Sequence, residues 1–151
     1  MFSTPAPLTG HLGYWLRLVS NQVSHSFARR LAEHDVTTAE WVVLRELYDA
    51  QALAPSRLAD RLGLTRGAVS KLADRLITKE LLARAAHESD GRAHTLALTP
   101  RGRALVPALA ATADANDAQF FGHLAPDQRR ALEETLREIV ARQGLSAHPI
   151  D

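Results

Sequence analysis

The chain is 151 residues long, 46% hydrophobic and 23% charged, with a formal net charge of +1; this suits one domain with a real core and is too short for an ordinary two-domain enzyme. Cysteine is absent, which excludes a disulfide framework, a thiolate metal site and sensing by thiol oxidation. The opening "MFSTPAPLTG" lacks the basic and apolar regions of a signal peptide, and no apolar run reaches membrane-spanning length, so a soluble, cytoplasmic protein with no membrane partner is expected.

Residues 1–7 read as a disordered lead and residues 8–151 as a single domain. From Leu8 to Ala32, the residues Leu12, Leu16, Val19, Val23, Phe27 and Leu31 recur three or four apart, which lines one face of a long helix. Thr9 and Gly10 suit its start. A second helix follows "VTTAE", with Thr38 as its N-cap and Trp41, Val43, Leu44, Leu47 and Tyr48 as its buried stripe, running to about Ala50. Pro55 stands at the first position of a short third helix that ends on Gly63, the residue most tolerant of a left-handed conformation. Thr65 caps a fourth helix running to about Lys79. Two short helices joined by a Gly-containing turn form a helix-turn-helix pattern.

"LLARAA" and "AHTLAL", separated by the turn formers Ser89, Asp90 and Gly91, read as a hairpin. Alanine is a poor strand residue, so Thr95, Leu96, Leu98 and the turn carry that reading. Thr99 and Pro100 then open a long helix to about Phe121, with a kink expected at Pro107, whose ring removes an amide donor. Gly122 and Pro126 mark the next junction. Leu132, Leu136, Ile139 and Val140 belong to a last helix closing near Gly144. The fold class is mainly α with a small β-hairpin.

Charge is unevenly spread. Residues 54–103 hold ten Lys or Arg against five acids, while the remainder holds eight against twelve. A basic middle between acidic ends is the footprint of one segment that meets phosphates. In the fourth helix Val69, Leu72, Ala73 and Leu76 share one side, which turns Arg66, Ser70, Lys71, Asp74 and Arg75 outward. That face matches a major groove of double-stranded DNA: arginine offers paired donors to guanine, lysine a point charge and serine a donor or acceptor.

"LADRLGLTRGAVSKLADRLITKELLAR" followed by "SDGRAHTLALTPRGRAL" resembles the multiple-antibiotic-resistance regulator (MarR) family of bacterial transcription factors. The family's wing signature is matched by Asp90, Gly91, Arg92, Leu96, Leu98, Thr99 and Gly102. The resemblance implies a winged helix-turn-helix over residues 36–99, with dimerisation helices over residues 8–33 and 100–144. It implies a homodimeric repressor on a pseudo-palindromic operator. Ser56, Thr65, Arg66, Ser70, Lys71 and Arg75 would serve the major-groove side. Arg92 would enter the minor groove, with Asp90 orienting an arginine.

The resemblance also implies release of DNA by a small, aromatic effector between the dimerisation helices and the winged domain. His11, Tyr14, Trp15, Arg17, Trp41, Arg45 and Tyr48 are the candidates, since an aromatic wall with few polar groups suits such a ligand; Trp41 and Tyr48 also fall at core spacing. No paired-carboxylate, Ser-His-Asp or phosphate-loop arrangement appears, so no enzyme activity and no cofactor are expected. The seven histidines are scattered without the spacing of a preformed metal site. Two alternatives stay open: an architectural or protein-interaction winged helix without an effector, and a metal-responsive regulator.

Overall fold

The computed structural model describes residues 3–87 and 90–150, the side chains of residues 87 and 90–93 excepted. Over those residues a 3-10 turn (Leu8–Gly10) precedes α1 (Leu12–Ala32), α2 (Thr38–Asp49), α3 (Pro55–Leu62) and α4 (Arg66–Thr78). β1 (Leu82–His87), β2 (Asp90–Leu98), α5 (Pro100–Phe121) and α6 (Pro126–Gln143) follow. Of the expected lead, residues 1–2 lie outside the described residues, as does Ser89 of the expected turn.

The first helix starts four residues later than its periodicity suggests. Pro7 accepts the Gly10 amide at 2.9 Å, which closes the 3-10 turn, and His11 is extended, so helical geometry begins at Leu12. The second helix is capped one residue earlier than expected. Thr37, not Thr38, accepts the Glu40 amide at 3.1 Å, and the Glu40 carboxylate accepts the Thr37 amide at 2.9 Å, a reciprocal pair that satisfies two orphan donors. α3 ends on Gly63 at φ 66, as its sequence anticipates, and Thr65 caps α4 by accepting the Ala68 amide at 3.1 Å. α5 runs unbroken through Pro107.

The core gathers Leu31, Leu44, Leu47, Leu58, Leu62, Val69, Leu76, Leu82, Leu96 and Leu109, so every element from the end of α1 to the first half of α5 contributes. β1 and β2 pair antiparallel, with Leu82 opposite Leu98 and Arg84 opposite Leu96. Leu53, between α2 and α3, bridges to Leu96 through both backbone bonds at 2.7 and 3.0 Å, which ties the hairpin base to the helical layer. The base is clamped a second time. Thr99 donates its amide to Leu81 O at 3.1 Å and its hydroxyl to Glu80 O at 2.7 Å, while accepting the Gly102 amide at 3.0 Å. Gly102 is buried against Leu81 so closely that a Cβ there would overlap the Leu81 carbonyl oxygen.

The apolar stripe of α1 changes environment along its length. Leu31 is buried and Val23 and Phe27 are half-buried, yet Leu12, Leu16 and Val19 are exposed. α6 buries no residue at all, and Leu132, Leu136, Ile139 and Val140 lie open. Its C-terminal tail returns to the winged region, where His148 donates its amide to Leu62 O at 3.1 Å.

Candidate nucleic-acid interface

α4 presents its two faces as its sequence pattern requires. Val69, Leu72, Ala73 and Leu76 are buried against the core, and Arg66, Ser70, Lys71, Asp74 and Arg75 are exposed. Arg66 opens the first turn immediately after the Thr65 cap, so its guanidinium and the free amides of that turn lie at the same helix end. Thr65 uses one lone pair of its hydroxyl oxygen to cap the helix, so it builds that end. Ser56 stands in the first turn of α3 and is half-buried.

Two carboxylates adjust the outward face. Asp74 accepts from Arg84 of β1 at 2.6 Å, an exposed ion pair joining α4 to the hairpin. Glu40 of α2 lies beneath the C-terminal half of α4, accepting from Lys79 Nζ at 3.0 Å and standing 3.5 Å from one terminal nitrogen of Arg75. Burial pushes the Glu40 carboxyl up, but the Thr37 amide and the Lys79 ammonium outweigh it and hold it below the ordinary glutamate value. The backbone at positions 90 and 92 belongs to β2, and the side chains of Asp90 and Arg92 lie outside the described residues.

The effector candidates fall into two groups in one chain. His11 is the N-cap residue of α1, and Tyr14, Trp15 and Arg17 lie on its exposed first half, where Tyr14 and Trp15 meet edge to face at 5.1 Å and Trp15 Nε1 donates to Thr9 O at 3.0 Å. Trp41, Arg45 and Tyr48 lie on α2. α1 reaches the core only from Val23 onward, and at about 1.5 Å per residue Tyr14 is more than ~13 Å further along its axis. Among the described residues no ring contact or side-chain hydrogen bond joins the two groups. Beside the α2 group stands Arg103 of α5, which sequence reading did not nominate. Its guanidinium lies 5.3 Å from the Tyr48 ring centre and donates to Tyr48 O at 3.1 Å, while Arg45 lies 5.6 Å from the same ring. No local signal links residues 55 positions apart. Glu40 was different: Thr37-x-x-Glu40 is itself a capping-box signature.

Among the described residues no group of three or more His, Asp or Glu side chains converges as a metal site would, and no helix is long and apolar enough to cross a membrane.

Comparison with known proteins agrees with this geometry. Residues 34–93, from the end of α1 through most of the hairpin, match the model of the MarR family. An HTH-type transcriptional regulator of Bacillus cereus is 29% identical over 131 residues, covering 83% of this chain and 85% of the relative. The structure of Bordetella bronchiseptica BpsR, solved to explain regulation of its DNA binding by 6-hydroxynicotinic acid, superposes with a TM-score of 0.76 at 28% identity over 90% of this chain and 97% of that one. In fold alone, Staphylococcus aureus MepR in complex with DNA is similar at a TM-score of 0.76, with 24% identity, covering 87% of this chain and 98% of that one. The buried and exposed faces of α4, the hairpin clamped at its base and these matches together show a winged helix-turn-helix fold that over residues 34–93 is similar to the MarR family of transcription regulators.

Proposed function

We propose that the protein is a homodimeric repressor that holds a pseudo-palindromic site on double-stranded DNA, with α4 in the major groove and the hairpin in the flanking minor groove. The observation that carries this reading is the exposure of Arg66, Ser70, Lys71 and Arg75 on the side of α4 opposite its buried Val69, Leu72, Ala73 and Leu76. A face of fork-like donors and one point charge on a rigidly packed helix is suited to base edges and phosphates. The DNA complex of MepR, similar in fold, is consistent with it.

Dimerisation is supported by the unpartnered apolar residues at both ends of the chain. Leu12 is 88% exposed, and Leu132, Leu136, Ile139 and Val140 are between 39% and 47% exposed. Such a surface on long helices finds its cover in a second copy. The same arrangement gives the effector candidates a meeting place. The aromatic start of α1 is exposed in the single chain, and in the dimer it completes the pocket beside Trp41, Arg45, Tyr48 and Arg103 of a partner copy. Arginines flanking an aromatic ring suit a small aromatic acid, and the hydroxynicotinic acid that regulates BpsR is of that class.

The test is a mobility-shift titration at stated salt against the DNA upstream of the protein's own gene, with light scattering of the free protein. Sequence-specific retardation and twice the chain mass support the reading; a clean monomer at micromolar concentration refutes the dimer. Truncating Arg66 or Arg75 to alanine is expected to cost about 1–3 kcal/mol and flatten preference among operator variants. Lys71→Ala is expected to weaken all duplexes alike and lower the salt slope by about one.

A further inference from the structure

Among the described residues Glu40 is the one charged side chain withdrawn completely from solvent. Its Oε1 accepts from the Thr37 amide at 2.9 Å and from Lys79 Nζ at 3.0 Å, and a terminal nitrogen of Arg75 stands 3.5 Å from it as an ion-pair contact. Its Oε2 is buried without a hydrogen-bond partner. Capping α2 does not require this arrangement, because a neutral glutamine at the same position accepts the N-cap amide equally well. Burying a carboxylate is costly unless its charge is used. Both groups that use it, Arg75 and Lys79, come from the last turns of α4.

Lys79 is the C-cap residue of α4, and it also donates to Asp35 O at 2.6 Å with the Asp35 carboxylate 3.7 Å away. The ammonium thus pins the end of α4 to the start of α2. Arg75 lies one turn earlier with its side chain 52% exposed, so one nitrogen faces the buried anion while the guanidinium edge stays at the surface. A free surface arginine loses much rotamer freedom when it engages a base. One already held from below loses less and meets the base in a set orientation.

We propose that Glu40 is a positioning residue for DNA reading: its buried carboxylate restrains the Arg75 guanidinium and, through Lys79, the end of α4, so that Arg75 addresses its base pair in one orientation. This rests on the reading of Arg75 as a base contact. The test is a double-mutant cycle in the full chain, with E40Q, R75A and the pair each titrated against an operator duplex, its single-base-pair variants and a random-sequence duplex at two salt concentrations. E40Q is expected to keep the dimer mass and helical circular dichroism. It should contract the operator-to-variant affinity ratio at least fivefold at the base pair that R75A also flattens, and contract it no further in the R75A background. Affinity for random sequence should fall less than twofold. A uniform loss on every duplex, or equal losses with and without Arg75, would overturn the proposal and leave Glu40 as a fold determinant only. If R75A itself leaves every ratio intact, the reading of Arg75 fails, and the role of Glu40 with it. Should E40Q not fold, E40Q/K79M, which strands neither charge in the interior, is carried through the same cycle with the same outcomes.

Discussion

Gly102→Ala should destabilise this protein although helix propensity alone says the reverse. Gly102 lies in the first turn of α5, where exchanging glycine for alanine ordinarily gains about 1 kcal/mol. A Cβ here, however, would fall well inside 3.0 Å of the Leu81 carbonyl oxygen and within 3.1 Å of its carbon. The obstacle is backbone and cannot rotate away, so α5 must shift from the turn between α4 and β1. That shift breaks the Thr99 amide bond to Leu81 and the Thr99 hydroxyl bond to Glu80, and distorts the cap on the Gly102 amide. Two hydrogen bonds at about 1 kcal/mol each and a cap of about 1 kcal/mol outweigh the propensity gain, for a net loss of about 2 kcal/mol. For a chain of this size that lowers Tm by about 4–8 °C. Thermal melting followed by circular dichroism, at one fixed protein concentration because a dimer's Tm depends on it, reads the difference. An unchanged or raised Tm would refute the clamp.

Glu40 makes stability depend on pH in a definite direction. Its folded-state pKa lies below the unfolded value of about 4.3, so its contribution is complete above that pH and is lost as pH falls through the folded value. The Tm gap between the native chain and E40Q should be full at pH 7 and shrink as pH falls below the ordinary glutamate range; Lys79 and Arg75 face the carboxylate and Asp35 shares Lys79 with it, and a gap that is flat with pH would mean its charge contributes nothing. Arg92→Ala should weaken operator binding by roughly 1–3 kcal/mol without changing dimer mass or melting. Its loss should shrink when flanking A·T pairs are replaced by G·C, because a wider minor groove attracts arginine less; equal losses on both sequences, measured by titration, would reduce it to a phosphate contact.

Local chemistry was enough for much of this molecule. Apolar spacing set which side of α4 is buried, because a 3.6-residue period leaves few alternatives once Val69, Leu72 and Leu76 are placed. Pro55, Gly63, Thr65, Thr99 and Pro100 marked helix ends by conformational preference that acts within a few residues. The cap expected at Thr38 falls to Thr37, the residue with Glu40 three positions on, a signal that the sequence itself carries. Other features belong to the tertiary structure alone. The stripe on α1 repeats evenly from Leu12 to Leu31, yet only its second half reaches the core, because burial depends on what the fold brings alongside. Gly102 enters the sequence reading only through the wing signature, and its close approach to Leu81 belongs to the fold. Only packing places α4 over Glu40, with Lys79 arriving from 39 residues away. Pairings of that kind leave no periodic trace, since what makes a buried charge tolerable is a partner close in space and distant along the chain.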